Sequence, residues 1–192
     1  RAGTIWKEGA KMLGKKEFLE ALRDSPVIAA VKNPEGLQNC LTSDCSIAFV
    51  LYGDMLNIAG IVAQLKEAGK LAFVHIDLVD GLTSQDVVVD FIAKNTCADG
   101  IISTKHSLVR HAKGCGLLTV QRFFVLDSMA LFNIGRQLAT AEADAVEILP
   151  GVMPKVIRKI SGSTDKPIIA GGLISDKEDV INALAAGAVS VS

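Results

Sequence analysis

The feature that most constrains this chain is a repeated alternation of short β-rich runs with segments of helical periodicity. Apolar residues recur at helical spacing between the runs, as in Ile58, Ile61, Val62 and Leu65. The β-rich runs cover residues 27–31, 47–52, 71–76, 100–104, 117–123, 145–149, 167–170 and 188–191. Strict alternation of strand and helix implies a parallel sheet, and eight such strands close most naturally into a barrel.

Composition supports a sheet that is buried on both faces. Hydrophobic residues make up 49% of the 192 residues, but aromatic residues only 5%, so the apolar content is mostly small aliphatic side chains in short runs. An open doubly wound sheet is the alternative, yet the first run is followed by "AVKNPEG" and not by a glycine-rich GxGxxG loop. We therefore predict an α/β fold, a compact (β/α)8 TIM barrel.

The two ends of the sequence add to this prediction. The segment "KKEFLEALRDSP" has a helical apolar face of Phe18, Leu19 and Leu22, and predicts an extra helix that plugs the bottom of the barrel. We expect residues 1–15 to be an extension and residues 16–192 to form one barrel domain. The sequence stops at Ser192, in or just after the eighth run, so the last helix is expected to be short or missing.

Charge, cysteines and hydropathy limit the classes of function. The formal net charge of -1 gives no general attraction for nucleic acid, so RNA binding would require a local patch. No apolar stretch approaches a membrane span, and we expect a cytoplasmic protein with no membrane partner. The cysteines lack CxxC spacing and none adjoins a histidine, so we predict ordinary core or helix-face thiols and neither a metal nor a cofactor: Cys40, Cys45, Cys97 and Cys115.

The strongest candidate for a binding site follows the seventh and eighth β-rich runs. In TIM barrels the functional face is formed by the carboxyl ends of the strands, and these two loops frequently bind phosphate. Gly171 and Gly172 would let backbone amides approach an anion, and Ser190 and Ser192 could donate hydroxyl hydrogen bonds to it. The alternative is that the two glycines only make a tight turn.

Charged side chains at the same ends of other strands suggest a polar ligand. Carboxylates can accept from ligand hydroxyls while cations balance a phosphate, so a small polyol phosphate fits. The charges could instead pair with each other, or Lys105 could belong to the exposed first turn of a helix. The candidate ligand-binding residues are Lys32, His75, Asp77, Lys105, Arg122 and Glu147.

Three further readings concern chemistry at this rim. His75, Asp77 and Asp54 could bind a metal, but a hydrogen-bonded barrel histidine is the reading we favour. Lys105 could form a Schiff base or His75 act as a general base, yet no nucleophile stands with a base, so we assign no catalytic residue. The S-x-x-E pattern from Ser175 to Glu178 predicts a capping box and no ligand role.

A basic interval provides a candidate RNA surface. No acidic residue lies between Asp99 and Asp127. The basic residues of this interval would lie on the outer face of a helix, where they could contact RNA phosphates. An ordinary basic helix exposed to solvent is an equally good interpretation. The RNA-binding candidates are Lys105, His106, Arg110, His111 and Lys113.

With these residues considered together, the sequence resembles the glycerol uptake operon antiterminator regulatory protein family. The resemblance rests on "PVIAAVKN", "LYGDMLNI", "FVHIDLVDGL", "ADGIISTK", "LLTVQRFFVLDSMAL", "DAVEILPGVMPKVI" and "PIIAGGLISDKEDVINALAAGAVSVS". It implies a bacterial regulator with a barrel fold that senses glycerol 3-phosphate and acts on leader mRNA, so that transcription of glycerol uptake and metabolism genes continues past a terminator.

The resemblance favours a regulator over an enzyme. It implies that "AGGL" and "AVSVS" form the phosphate site, with glycerol 3-phosphate as effector and no cofactor. The alternative is an enzyme of the ribulose-phosphate-binding barrel type that acts on a small phosphorylated substrate, and a third reading is a metabolite-binding module that works through a protein partner. A homo-oligomer is compatible with any of these.

Overall fold

A computed structural model of the protein describes residues 14–82 and 85–192. The predicted extension over residues 1–15 therefore lies almost entirely outside the described residues. Within the described part of the chain, no helix is long and apolar enough to cross a membrane.

Strands and helices alternate as the sequence predicts. The strands are β1 (Ala29–Val31), β2 (Ile47–Val50), β3 (Leu71–His75), β4 (Gly100–Ser103), β5 (Leu118–Phe124), β6 (Ala145–Leu149), β7 (Ile168–Ala170) and β8 (Ser190–Val191). The helices are α1 (Lys15–Asp24), α2 (Pro34–Thr42), α3 (Ile58–Glu67), α4 (Asp86–Asn95), α5 (His106–Gly114), α6 (Ser128–Leu138), α7 (Pro154–Ser161) and α8 (Lys177–Ala185), with a 3-10 turn at Ile76–Leu78.

The eight strands form one parallel sheet in sequential order, from β1 to β8. The sheet curls until its ends meet, because Val27 bridges Val191 in parallel and the amide of Ile28 donates to the Val191 carbonyl at 2.8 Å. The predicted TIM-barrel fold is thereby confirmed. The first and last strands are shorter than predicted, since this seam holds only a single bridge outside the named strands.

Alternation along each strand separates an inner core from an outer one. Phe49 and Phe73 point into the barrel, whereas Ala48 and Val50 pack beneath the surrounding helices. Helix α1 follows the prediction that it plugs the bottom: Phe18 and Leu22 are fully buried in the inner core, and the Phe18 and Phe73 rings lie 4.8 Å apart. Burying two such side chains contributes roughly 1.5–3 kcal/mol each.

The start of α8 differs from the predicted capping box by one residue. Asp176, and not Ser175, is the N-cap, and its carboxylate accepts from the Asp179 amide at 2.9 Å. The Asp179 carboxylate accepts in turn from the Ser175 amide and hydroxyl at 2.9 and 3.0 Å. Asp176 and Asp179 therefore make the capping contacts that the sequence predicted for Ser175 and Glu178.

Candidate ligand site at the carboxyl rim of the barrel

The centre of the rim is a hydrogen-bonded chain of side chains from three strands. Arg122 and Glu147 are register partners on β5 and β6, each two residues above an inward apolar residue, so both point into the barrel. The Arg122 Nε donates to Glu147 Oε2 at 2.6 Å, and the Ser192 hydroxyl donates to Glu147 Oε1 at 2.7 Å. Glu147 is fully buried, and the cation beside it compensates its charge.

The hydrogen bonds among Arg122, Glu147 and Ser192 leave donors on Arg122 for a ligand. The guanidinium group carries five N–H donors, and its Nη atoms make no hydrogen bond with any described residue. A planar guanidinium that is fixed through Nε presents its Nη atoms in a set direction, which is the geometry that suits phosphate or carboxylate. Arg122 can therefore bind an anion without giving up Glu147.

A glycine is required at position 171, where the end of β7 passes the hydrogen-bonded side chains of Arg122, Glu147 and Ser192. A Cβ at this position would collide with Oε1 of Glu147 and lie 2.8 Å from the Ser192 hydroxyl. Only a glycine lets β7 approach Glu147 and Ser192 together.

The amides of the two glycines are less available than the sequence suggested. The Gly171 amide donates to the Ile148 carbonyl at 2.9 Å and the Gly172 amide to the Ser192 carbonyl at 3.3 Å. The next two amides, of Leu173 and Ile174, make no hydrogen bond with a described residue. Any anion held by this turn would therefore use amides two residues further along.

The turn after β7 also holds an unusual backbone conformation. Gly172 has a φ of +73°, which suits glycine, but Leu173 follows at +61°, in the left-handed region that a leucine rarely adopts. Leu173 is largely exposed, so core packing does not impose this conformation. Strain of this kind collects at functional sites.

His75 lies at the end of β3 with an unpartnered nitrogen. It is 2% exposed, its Nδ1 has no hydrogen-bond partner among the described residues, and the nearest carboxylate oxygen, Oδ2 of Asp77, is 4.0 Å away. Burial, reinforced by the positive charge of Arg122, lowers the pKa of His75 to about 4, against the opposing effect of Asp77. The imidazole is therefore neutral at physiological pH, and its buried Nδ1 has an unused acceptor, which differs from the hydrogen-bonded histidine we favoured.

Asp77 has its carboxylate occupied by the end of β4. It accepts from the Ser103 hydroxyl at 3.0 Å, from the Thr104 amide at 2.7 Å and from the Thr104 hydroxyl at 3.0 Å. These bonds tie the loops after β3 and β4 together. Asp77 thus supports the rim, and much of its acceptor capacity is already used.

The mouth of the barrel is open beside β1. Ala30 is the register partner of the inward Phe49, yet Ala30 is exposed to solvent. Lys32, two residues further along β1, is exposed on the same side. The opening therefore reaches one layer down into the barrel and has a cation at its edge.

Two of the predicted rim residues lie apart from this opening. Lys105 is exposed at the start of α5, where its amide donates to the Ser103 hydroxyl at 3.0 Å. Ser190 is fully buried and its hydroxyl donates to the Leu22 carbonyl of α1 at 2.6 Å. Ser190 therefore joins the barrel to its N-terminal helix, and its hydroxyl proton is already used, so it cannot donate to a phosphate as the sequence suggested.

The predicted RNA face on α5 is largely occupied by protein contacts. His106 Nδ1 lies 3.3 Å from the Gln121 side-chain oxygen, and Lys113 donates to the Glu142 carbonyl at 2.7 Å. His111 lies between two carboxylates of α4, with Nε2 at 3.0 Å from Asp90. The exposed candidates whose side chains have no described partner are Lys105 and Arg110.

The fold and the rim define the class of protein, which is a TIM-barrel-like α/β protein with a candidate site for a small polar ligand at the carboxyl ends of its strands. The family model of the glycerol-3-phosphate responsive antiterminators matches residues 27–192. The chain belongs to this family, as its sequence motifs predicted.

Known proteins agree with this assignment. The Escherichia coli (strain K12) uncharacterized protein YgcP is 45% identical over 175 residues, which cover 91% of this chain and 92% of that protein. The structure of the glycerol uptake operon antiterminator regulatory protein from Listeria monocytogenes is 33% identical with a TM-score of 0.82, over 86% of this chain and 89% of that one. The structure of a glycerol uptake operon antiterminator-related protein from Thermotoga maritima is 34% identical with a TM-score of 0.77, over 88% of this chain and 94% of that one.

Enzymes share the fold at much lower identity. The N-acetylmannosamine-6-phosphate 2-epimerase of Clostridium perfringens has a TM-score of 0.71 but is 15% identical, over 95% of this chain and 91% of that one. At that identity the likeness concerns the barrel and not its chemistry. The family to which this chain belongs is a regulatory one.

Proposed function

We propose that this protein is a regulator without catalytic activity that binds glycerol 3-phosphate at the barrel mouth and acts on leader mRNA to control genes of glycerol uptake and metabolism. The observation that carries the proposal is the buried chain of Arg122, Glu147 and Ser192. It combines a fixed guanidinium with a carboxylate, as a ligand bearing both a phosphate and hydroxyls requires.

Each part of the ligand has a matching group. The phosphate would contact the Nη atoms of Arg122, with Lys32 at the edge of the opening and the amides of Leu173 and Ile174 close to the same turn. The glycerol hydroxyls would donate to Glu147 and to Nδ1 of His75, which is neutral and can accept. A hydroxyl bonded to His75 would also satisfy a buried nitrogen that has no described partner.

The antiterminator family supports a role for RNA, and thermodynamic linkage sets the condition under which the ligand can control it. Glycerol 3-phosphate can promote RNA binding only if it binds the RNA-competent state more tightly. The two ligands then strengthen each other by the same factor. The exposed cations Lys105 and Arg110 are the proposed RNA contacts on α5.

The test of the ligand is calorimetric titration with glycerol 3-phosphate, glycerol and inorganic phosphate. We expect glycerol 3-phosphate to bind more tightly than either fragment, and Arg122→Gln to weaken it by at least about tenfold, the equivalent of losing a charged hydrogen bond of about 1.5–3 kcal/mol. Arg158→Gln, on the exposed face of α7, is the matched control. Equal affinity of the wild type and Arg122→Gln would refute the site.

The test of the regulatory step is titration of the leader RNA with and without glycerol 3-phosphate. We expect tighter RNA binding in the presence of the ligand, and an equal increase of ligand affinity when RNA is present. Arg110→Glu should weaken RNA binding and leave ligand affinity unchanged. An RNA affinity that is equal with and without glycerol 3-phosphate would refute the proposed gating. It would not argue against the metabolite site.

A further inference from the structure

A cluster of three different metal-ligating side chains lies between α4 and α5, outside the barrel mouth. Asp90 belongs to α4, whereas His111 lies on α5 and Cys115 is its C-cap residue. The Asp90 Oδ1 is 3.0 Å from His111 Nε2 and 3.5 Å from the Cys115 sulfur. The three ligand atoms all lie within 4.8 Å of one another, and each residue is half-buried.

The spacing along α5 explains why two of the three side chains meet. Residues four apart in a helix lie on the same face, one turn above the other, so His111 and Cys115 present a nitrogen and a sulfur in the same direction. Asp90 completes the group because α4 packs alongside α5. The group therefore depends on the tertiary fold and bridges two neighbouring helices.

These ligand types and distances match those of zinc. Zinc is bound in proteins by cysteine sulfur, histidine nitrogen and carboxylate oxygen, and tetrahedral coordination at the usual bond lengths separates ligand atoms by about 3.3–3.8 Å. The two separations from Asp90 Oδ1, 3.0 and 3.5 Å, lie near this range, and the ligand atoms of His111 and Cys115 lie within 4.8 Å of each other, so side-chain adjustments would bring all three to a common ion. Three protein ligands would leave a fourth position for water.

A further carboxylate stands where a zinc-binding histidine needs one. Asp86 Oδ2 lies 3.7 Å from Nδ1 of His111, on the side of the ring opposite to Asp90. Histidines that bind a metal commonly donate their other ring N–H to a carboxylate, which fixes the tautomer and the orientation of the ring. At 3.7 Å Asp86 makes no hydrogen bond with Nδ1, but a small movement of its exposed side chain would let it accept from Nδ1–H and leave Nε2 for the ion.

We propose that Asp90, His111 and Cys115 bind a divalent metal ion of the zinc class, with Asp86 as the positioning residue for His111. Among the residues that the structure describes, the charged groups around the site are these four and Lys94, whose charge acts on Asp90. Zinc binds cysteine as the thiolate, so the ion must displace the Cys115 proton when it binds.

The experiment is a zinc titration of the full chain after chelator treatment and dialysis, with Co²⁺ as a spectroscopic probe. We expect one Zn²⁺ per chain and, with Co²⁺, the absorption of a thiolate bound to the metal. Cys115→Ser should abolish that absorption and weaken zinc binding at least tenfold. Cys97→Ser is the matched control, since Cys97 is also a half-buried free thiol but lies outside the cluster.

Two further variants separate the site from general thiol affinity. Asp86→Asn should weaken zinc binding by about 10–100-fold while keeping the thiolate absorption, as is usual for a partner of a ligating histidine. His111→Gln should lose zinc as Cys115→Ser does. A wild type that binds no stoichiometric zinc, or equal losses in Cys97→Ser and Cys115→Ser, would overturn the proposal whatever the ligand at the barrel mouth.

Discussion

Arg122 and Glu147 form an ion pair at 2.6 Å in which the carboxylate is fully buried and the arginine side chain is 9% exposed. Neither charge has another described partner of opposite sign at hydrogen-bond distance. Such a pair is costly to break from one side, because the remaining charge keeps its desolvation cost without compensation.

We therefore expect Arg122→Met to lower the free energy of unfolding by about 3–5 kcal/mol. The double variant Arg122→Met/Glu147→Gln should recover part of that loss, because it removes the isolated charge. Urea unfolding of the wild type, both single variants and the double variant measures the coupling. Strictly additive losses would show that the two side chains do not stabilise each other.

The pKa of His75 predicts an acid sensitivity that can be assigned to one residue. An unfolded histidine titrates near pH 6.5, whereas the buried His75 titrates at about 4, so the unfolded chain binds this proton first. The contribution to stability is complete above pH 6.5 and is lost as the pH falls from 6.5 to about 4, by roughly 3 kcal/mol.

The measurement is the free energy of unfolding as a function of pH for the wild type and for His75→Gln. The variant should show a flatter dependence between pH 6.5 and 4, while the slope below that window stays similar because the carboxylates are unchanged. An identical slope in both proteins would mean that folding does not lower the pKa of His75.

The helix cap of α8 gives a prediction in which two neighbouring acids behave differently. Asp176→Ala removes the side chain that accepts from the Asp179 amide and should cost about 1 kcal/mol. Glu178→Ala should change stability by less than about 0.5 kcal/mol, because Glu178 is an exposed residue of the first turn. The capping box predicted from the sequence would require the opposite order, and thermal unfolding of both variants decides between them.

The alternation of strands and helices was predictable because it depends on local patterns, and so was the direction of a rim side chain that lies on a strand. Glu147 points inward because it stands two residues after the inward Ala145. Ser190 shows the limit of this reasoning. The inward direction of Ser190 followed from alternation, but its position along the barrel axis did not. Ser190 pairs with Ile169, one layer below Ser192, and at that level its hydroxyl reaches α1.

Contacts between distant segments could not be predicted from the sequence. The spacing of His111 and Cys115 along one helix was visible, yet their meeting with Asp90 depends on how α4 packs on α5. The same packing places acids of α4 against the basic face of α5, so the absence of acidic residues between Asp99 and Asp127 overstated the positive charge of that surface.

Gly171 allows the candidate site to be perturbed through a single methyl group. In Gly171→Ala the added Cβ would meet the Glu147 carboxylate and the Ser192 hydroxyl, which would separate this hydrogen-bonded pair. We expect the affinity for glycerol 3-phosphate to fall by at least about tenfold and the free energy of unfolding by about 1–3 kcal/mol, as for overpacking of a filled interior.

Gly135→Ala is the matched control, because a Cβ there meets no atom within 4 Å. That variant should keep its ligand affinity and gain roughly 0.5–1 kcal/mol of helix stability. Calorimetric titration and urea unfolding of both variants measure the two effects, and unchanged affinity in Gly171→Ala would place the ligand away from β7.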